Sequence, residues 1–366
     1  MPKLHHLTLE QAQRTLRAQG LAFTVHRAQS MTDQHWVSRC SSRVQRVRIG
    51  MFVAETSHRN PRTVADTIES ARRAERLGLA TAWVPHVPWS LDALTSLALI
   101  GQQTSRIELG TAVVPIWSRH PYAMAQQALT TQAASNGRLL LGIGPSHQVV
   151  AENWYGVPYE GVIGHMREYI DVLEACFAAQ EAANTQDHGP GGYGGSIDYV
   201  GERFSTRALI DVPGSTSAPI YLAALAPMML KLAGERSAGT ITWMGDERTH
   251  AEHVVPLLER AARGAGRPTP RVIAGLPIAV CDDQARAREV AETMFGVYRN
   301  IPAYSRMLER GEAQSPADVA LVGTEAQLTH RIEAFGSAGV TDLCAFVFHV
   351  SDDTRVRTEA FLESLC

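Results

Sequence analysis

Four short runs in this chain carry small residues, three of them together with a proline or a histidine. The first is Gly110-Thr111-Ala112-Val113-Val114-Pro115, which leads into Arg119-His120-Pro121. The second is Leu141-Gly142-Ile143-Gly144-Pro145-Ser146-His147-Gln148, the third Ala223-Ala224-Leu225-Ala226-Pro227-Met228, and the fourth Thr242-Trp243-Met244-Gly245. Small residues let a flat ring or a phosphate approach the backbone. A helix opening at Pro227 offers free amides and the positive end of its dipole to an anion. A single run of this kind only relieves crowding where a strand meets a helix; four on one rim point to a large ligand. His86 and His147 are the candidates for proton handling, because imidazole titrates near neutral pH. His120, just before Pro121, is placed to cap a helix or bridge loops.

Other chemistries find less support. There is no His-Glu-x-x-His, no clustered Cys/His set and no Asp-rich loop, so no metal site is expected. No Gly-x-x-x-x-Gly-Lys-Ser/Thr run occurs, and the glycine-rich stretch from Gly189 to Gly195 does not lie between a strand and a helix. That stretch reads as a flexible lid or tip. Trp117, Trp154 and Trp243 line a pocket or belong to the core or a subunit contact, and their type alone does not decide which.

These runs need a scaffold, and the rhythm of the chain supplies one. Strands are predicted at Val47–Val53, Thr81–Val84, Ile107–Val114, Leu139–Ile143, Pro219–Ala224, Thr240–Trp243, Arg271–Val280 and Asp342–Phe348. Helices are predicted between them. The first is capped by Asn60 with Pro61 behind it and stops at Gly78; others run over Asp92–Gln103, Pro121–Ala134, Val162–Ala179, Met228–Arg236, Thr249–Arg263, Asp283 to about Arg310, and Glu325–Ala338. Residues 184 to 217 break the rhythm with Gly, Ser and Pro and are expected to form a long loop with a hairpin around Tyr199–Leu209. The strands are continuous apolar runs, as when both faces are buried. Eight strand–helix units predict an α/β fold, a (β/α)₈ TIM barrel with an insertion after the fourth helix and an N-terminal extension; a doubly wound open sheet is the rival. In a barrel the four runs all fall at the C-terminal ends of strands, where such folds carry their sites.

Composition agrees with a single large domain. The chain has 366 residues, 45% hydrophobic and 19% charged, with a formal net charge of -3. That balance fits a globular core and gives no basic surface for nucleic acid. No apolar run of about 18 residues is present, so no membrane span is expected. The five cysteines are scattered without a Cys-x-x-Cys pair, which suits reduced thiols in a cytoplasm. Residues 1–46 lack the barrel rhythm apart from a possible helix at Thr8–Gln19; they are expected to be an extension outside the 47–366 barrel, or to follow from a start assigned too early.

The ordered set of motifs resembles the bacterial luciferase-like monooxygenase family, in its branch of oxidoreductases that depend on the deazaflavin coenzyme F420. It comprises Ile107-Glu108-Leu109-Gly110-Thr111, Arg119-His120-Pro121, the run Leu141 to Gln148, His165-Met166-Arg167-Glu168-Tyr169, and Leu230-Lys231-Leu232-Ala233-Gly234 with Trp243-Met244. The similarity spans roughly residues 47 to 350. The resemblance implies a non-prolyl cis peptide at Ala112-Val113, bulging with Pro115 against a flat ring. It implies a phosphate arm past Ile143, Gly144, Leu225, Ala226, Met228 and Met229, with Gln148 or His147 adding hydrogen bonds, and His86 near the ring's polar edge. It also implies a small-molecule substrate and a homo-oligomer. The family's sugar-phosphate dehydrogenases carry an Asp-His pair and a Glu where this chain has His86-Val87 and Pro145. Oxidation of an alcohol, which needs a placed base, is therefore less expected than reduction of an activated C=C or C=N bond. His86 either contacts the cofactor or donates that proton. The alternatives are an FMN-dependent monooxygenase using molecular oxygen and a flavin-binding barrel without catalysis.

Overall fold

The structure is a computed structural model that describes residues 46–54, 63–185, 194–351 and 353–366. The unit from Val47 to Cys366 is built on eight parallel strands. They are β1 (Arg48–Phe52), β2 (Thr81–Val84), β3 (Glu108–Thr111) with its short continuation β4 (Val114–Pro115), β5 (Leu139–Gly144), β8 (Ile220–Ala223), β9 (Gly239–Trp243), β10 (Arg271–Val280) and β12 (Asp342–Val347). Strand β12 pairs with β1, and β10 pairs with both β9 and β12, so the sheet closes on itself. This is the predicted (β/α)₈ barrel. All eight strands lie where the sequence predicts them.

Helices alternate with the strands: α1 (Val64–Arg76), α2 (Ala93–Gly101), α3 (Pro121–Ala134), α4 (Gln148–Asn153), α5 (Val162–Thr185) and α6 (Pro227–Arg236). A helix then passes from Glu247–Thr249 through a π-turn at His250–Val254 into α7 (Val255–Gly264). The chain continues with α8 (Gln284–Phe295), α9 (Pro302–Arg310), α10 (Pro316–Val319), α11 (Glu325–Ser337) and α12 (Thr354–Ser364). After α5 an antiparallel hairpin, β6 (Gly195–Val200) and β7 (Ser205–Ile210), occupies the expected insertion. A short strand β11 (Leu321–Gly323) prolongs the sheet beside the end of β10.

The differences from the sequence reading have local causes. Helix α1 starts after Thr63, whose side chain accepts from the Asp66 amide while Asp66 accepts from the Thr63 amide. That reciprocal box, not Asn60, is the cap; Asn60 and Pro61 lie outside the described residues. The third strand is not continuous: the cis bond Ala112–Val113 separates β3 from β4. The predicted helix from Asp283 to Arg310 breaks at Phe295, passes through a 3₁₀ turn at Gly296–Asn300 and restarts at Pro302, since an interior proline cannot donate to the helical ladder. Helix α5 runs six residues past Ala179, and β11 and α12 have no counterpart in the prediction. The helix expected at Thr8–Gln19 lies outside the described residues, as does the glycine-rich stretch apart from Gly194 and Gly195, the latter opening β6.

Inside the barrel, alternate residues of each strand stack in layers. At the N-terminal end the layer is ionic: Arg271 reaches Asp342 at 2.5 Å and Glu108 at 3.2 Å, and Arg48 reaches Glu108 at 2.9 Å. The next layer is apolar and fully or nearly fully buried, with Trp83, Leu140, Ile241, Ile273 and Cys344. Trp83 fills so much of it that Gly110 has no room for a side chain; a Cβ there would sit 2.1 Å from the indole Cζ3. Above this layer is the mouth.

Gly110→Ala is therefore expected to destabilise the fold by about 1–3 kcal/mol, the usual range for overpacking a core. Trp83→Phe in the same chain should restore part of that loss. Urea unfolding of the two singles and the double tests this, and additive effects would remove the explanation.

Candidate active site at the barrel mouth

The top layer of the barrel is divided. Over β1, β9 and β12 it carries three large aromatic rings. Phe52, Trp243 and Phe346 meet edge to face, with centroids 5.7–6.2 Å apart. Over β3, β5 and β8 it carries only Ala112, Val113, Gly142, Gly144 and Ala223. These strands are the central parts of three of the four small-residue runs. Ala112, Val113, Ala223 and the three aromatics are partly exposed, whereas the layer below is buried. The mouth is thus a step, high and aromatic on one side, low and small on the other.

The glycines on the low side have a packing role as well. A Cβ on Gly144 would meet Val113 and Ala223 at 2.8 Å, and one on Gly142 would meet the Thr111 carbonyl at 2.1 Å. The bulge at Ala112–Val113 therefore turns Val113 into space that only glycine leaves open. Thr111 fixes the bulge from below, donating to the Gly142 carbonyl at 2.7 Å and accepting from its amide at 2.8 Å.

The loops around the step are tightly held. Trp117 donates its indole N–H to the Pro145 carbonyl at 2.6 Å, and Tyr159 donates to the Ser146 carbonyl at 3.3 Å. Trp117 is thus a brace for the loop after β5. Ser146 and Met244 both adopt positive φ, 54° and 58°, a costly conformation for residues with a side chain. Such outliers gather where a site imposes them. After β9, buried His250 bridges the Thr242 hydroxyl at 2.9 Å and the Asp246 carbonyl at 2.8 Å. After β8, His253 holds the Leu225 carbonyl at 2.8 Å.

His86 lies in the loop after β2. The Ala93 amide donates to its Nδ1 at 3.3 Å, so the neutral ring carries its proton on Nε2. Burial pushes its pKa down, against a rise from Asp92 at 3.7 Å and with a further fall from Arg119. Asp92 is itself committed. Burial alone would raise its carboxyl, but the Thr95 amide and the Arg119 guanidinium at 2.8 Å outweigh that and hold it low. His86 is therefore a neutral donor at pH 7 rather than a charged acid.

The other expected site residues occupy these places. His147 is the N-cap residue of α4, yet its ring makes no cap bond; it meets Tyr304 edge to face at 5.7 Å, and burial lowers its pKa. Gln148 is exposed and bonded to Glu152 at 2.9 Å. Pro115 is buried beside the bulge, and Ile143 and Gly144 pair with Val114 and Pro115. The Ile143 side chain is in the outer core, so only its backbone faces the rim. Leu225 is half-buried, Ala226 and Met228 are exposed, and the Met229 side chain is buried. Ala226 is the N-cap of α6 and has no side-chain acceptor, so no cap occupies the first amides of that helix. His120 does cap α3, accepting from the Tyr122 amide at 3.2 Å. Sequence reading did not find Phe52, Phe346, Tyr298 or Tyr304, which the fold brings to the same mouth.

A family model of luciferase-like monooxygenases matches residues 47–342. The chain belongs to the luciferase-like monooxygenase family. A Mycobacterium tuberculosis protein provisionally named coenzyme F420-dependent oxidoreductase is 30% identical over 257 residues, 69% of this chain and 72% of its own. An F420-dependent glucose-6-phosphate dehydrogenase of Mycolicibacterium gilvum is 29% identical over 218 residues, 55% of this chain and 60% of its own. Among solved structures, an F420-dependent secondary alcohol dehydrogenase in complex with an F420-acetone adduct superposes with a TM-score of 0.68 at 20% identity, covering 87% of this chain and 98% of that one. The oxygenating constituent of 3,6-diketocamphane monooxygenase from the CAM plasmid of Pseudomonas putida, in complex with FMN, gives 0.65 at 16% identity, covering 87% and 96%. At these identities the two structures speak for the fold.

His165 yields a pH prediction. It packs against Trp117 at 4.3 Å, with the rings tilted, and meets Phe204 at 5.0 Å, and its Nε2 has no hydrogen-bonding partner. Burial, with help from Arg203, pulls its pKa from 6.5 down to about 4. Between those values the unfolded chain binds a proton that the folded protein does not, so this ring makes stability fall as the pH drops through that window. His165→Phe should lessen the fall in melting temperature between pH 6.5 and pH 4. An unchanged slope would show that this ring is not a source of the acid sensitivity.

Proposed function

We propose that the chain is an oxidoreductase that moves a hydride between the deazaflavin coenzyme F420 and a small organic substrate, reducing an activated C=C or C=N bond rather than oxidising an alcohol. The observation that carries this reading is the stepped mouth. Its low side fits a flat ring: Ala112, Val113 and Pro115 form a backing surface, and no large side chain rises from β3, β5 or β8 to block it. Its outer edge leads to the uncapped start of α6, where the amides of Met228 and Met229 suit a phosphodiester. The relatives named for F420 support the choice of ring.

When bound there, the deazaflavin supplies two-electron hydride chemistry. The chain's own residues orient and shield it. The bulge would cover one face of the ring, leaving the other toward the substrate. His86, with its proton on Nε2, would donate a hydrogen bond to the ring's polar edge. Ile143, Gly144, Gln148, Leu225 and Ala226 would flank the phosphate arm, with His147 between arm and substrate.

Alcohol oxidation fits less well. It needs a base beside the ring's polar edge that is free to accept the hydroxyl proton. Asp92 is the carboxylate beside His86, and it is held by Arg119 and Thr95. Reduction needs only that a proton be delivered after hydride transfer.

Two measurements test this reading. Titration of the pure protein with F420 and with FMN, followed by ring fluorescence, should show F420 binding; tight FMN binding without F420 binding would overturn the proposal in favour of an oxygen-using enzyme. Ala226→Asp supplies the missing cap, so it should raise stability by about 0.5–2 kcal/mol. The same carboxylate should weaken F420 binding by repelling the phosphate. Equal F420 affinity in wild type and variant would remove the anion from that helix end.

A further inference from the structure

The segment that follows β10 folds back over the mouth. Its 3₁₀ turn carries Tyr298 and α9 carries Tyr304, and their rings meet edge to face at 4.9 Å. Tyr298 also packs on Trp243 at 6.1 Å, and Tyr304 on His147 at 5.7 Å. The pair therefore spans from the aromatic side of the step to the loop after β5.

Their polar atoms are underused. Among the described residues the Tyr304 hydroxyl has no hydrogen-bonding partner, and neither does the His147 ring. The Trp243 indole N–H is buried and completes no hydrogen bond, although its ring packs on Tyr298. That leaves the Tyr298 proton available for donation. Burial pushes both phenols up, so each keeps its proton at neutral pH. A half-buried hydroxyl with no protein partner can exchange solvent for the acceptor of a ligand.

Three carboxylates of the adjoining elements are engaged. Asp246 takes the amides of Thr249, Glu312 and Ala313; Glu247 is bound to Arg331 and Glu292 to Arg299. The rim on the other side carries a second exposed aromatic pair, Trp89 and Trp154, 43% and 53% exposed with centroids 5.3 Å apart. An apolar wall of this kind rejects an ionised substrate, whose charge would lose its water without gaining a partner.

We infer that Tyr298 and Tyr304 are the donors that hold the substrate's polar atom, and that the substrate is an uncharged, largely apolar molecule carrying a carbonyl or imine acceptor. Its apolar body lies on Phe52, Trp243 and Phe346, while its acceptor faces the two hydroxyls. This rests on the proposed function in placing the reacting bond over the low side of the step. It also separates this chain from relatives named for a sugar phosphate, since Phe52, Trp243 and Phe346 offer a dianion no cationic anchor.

Three probes of one shape test the inference: benzylideneacetone, which is neutral with a carbonyl; cinnamate, which is charged; and β-methylstyrene, which lacks an acceptor. Affinities are measured by calorimetry on the protein alone and on the protein with F420. Benzylideneacetone should bind, and cinnamate should bind at least about tenfold more weakly. Tyr298→Phe and Tyr304→Phe should each weaken the ketone by about threefold to tenfold, the worth of one hydrogen bond. Neither should alter the affinity for β-methylstyrene or F420, and their melting temperatures control for folding. Binding of cinnamate as tight as the ketone, full ketone affinity in both variants, or no ketone binding to either form of the protein would overturn the inference. Failure of F420 to bind would overturn the cofactor reading alone, because the ketone is also measured without it.

Discussion

The height of the barrel floor is set by one indole. Trp83 is fully buried in the middle layer and takes the room of the side chains that Gly50 and Gly110 lack. Its N–H finds no hydrogen-bonding partner, an omission that costs about 1–3 kcal/mol in a dry interior. Packing offsets that cost: a large ring closes the barrel above the ionic layer of Arg48, Glu108, Arg271 and Asp342. Everything above Trp83 rests on a solid plug. Residues at the mouth therefore cannot sink inward, and a difference in side-chain size between neighbouring strands becomes a difference in floor height.

That is how eight similar strands produce a two-sided site. The strands at the low side end in Ala112-Val113, Gly144 and Ala223; those at the high side end in Phe52, Trp243 and Phe346. Val113 fits only because Gly142 and Gly144 make room, so the bulge and the two glycines form one device. A flat ligand laid on the low side would have one face against the bulge and one edge toward the aromatic wall. In the proposed reading, the division of labour between a redox ring and its partner would be set by side-chain volume rather than by charge.

Much of the scaffold was legible because it obeys local rules. Strands buried on both faces show as apolar runs, and the helix predicted at Pro121–Ala134 has those bounds, with Asn136-Gly137 turning the chain just beyond it at φ of 51° and 80°. The bulge at Ala112–Val113 was legible only through family resemblance; nothing in its periodicity marks it. Which strand residues point inward was not legible at all, since two buried faces leave no polar alternation to read. For that reason Phe52 and Phe346 escaped notice as mouth residues. Tyr298 and Tyr304 escaped for another reason. They lie 18 and 24 residues beyond Val280, in a segment whose helical periodicity hid the breaks at Gly296 and Pro302. Only the fold-back of that segment brings them to His147.

The chain's departure from its sugar-phosphate-oxidising relatives also gains a physical form. A histidine follows β2, but its Nδ1 is used by the Ala93 amide and its environment keeps it neutral. The aspartate nearby is neutralised by Arg119, and proline stands at the rim after β5. With His86 and Asp92 both engaged, the pair after β2 cannot readily pull a proton from a hydroxyl, and a mouth without a free cation among the described residues cannot hold a phosphate on its substrate side. Both absences, read among the described residues, favour the same kind of molecule. The proposed substrate is of that kind: neutral, already carrying an oxidised bond, and in need only of being held flat against the ring by donors that do not ionise.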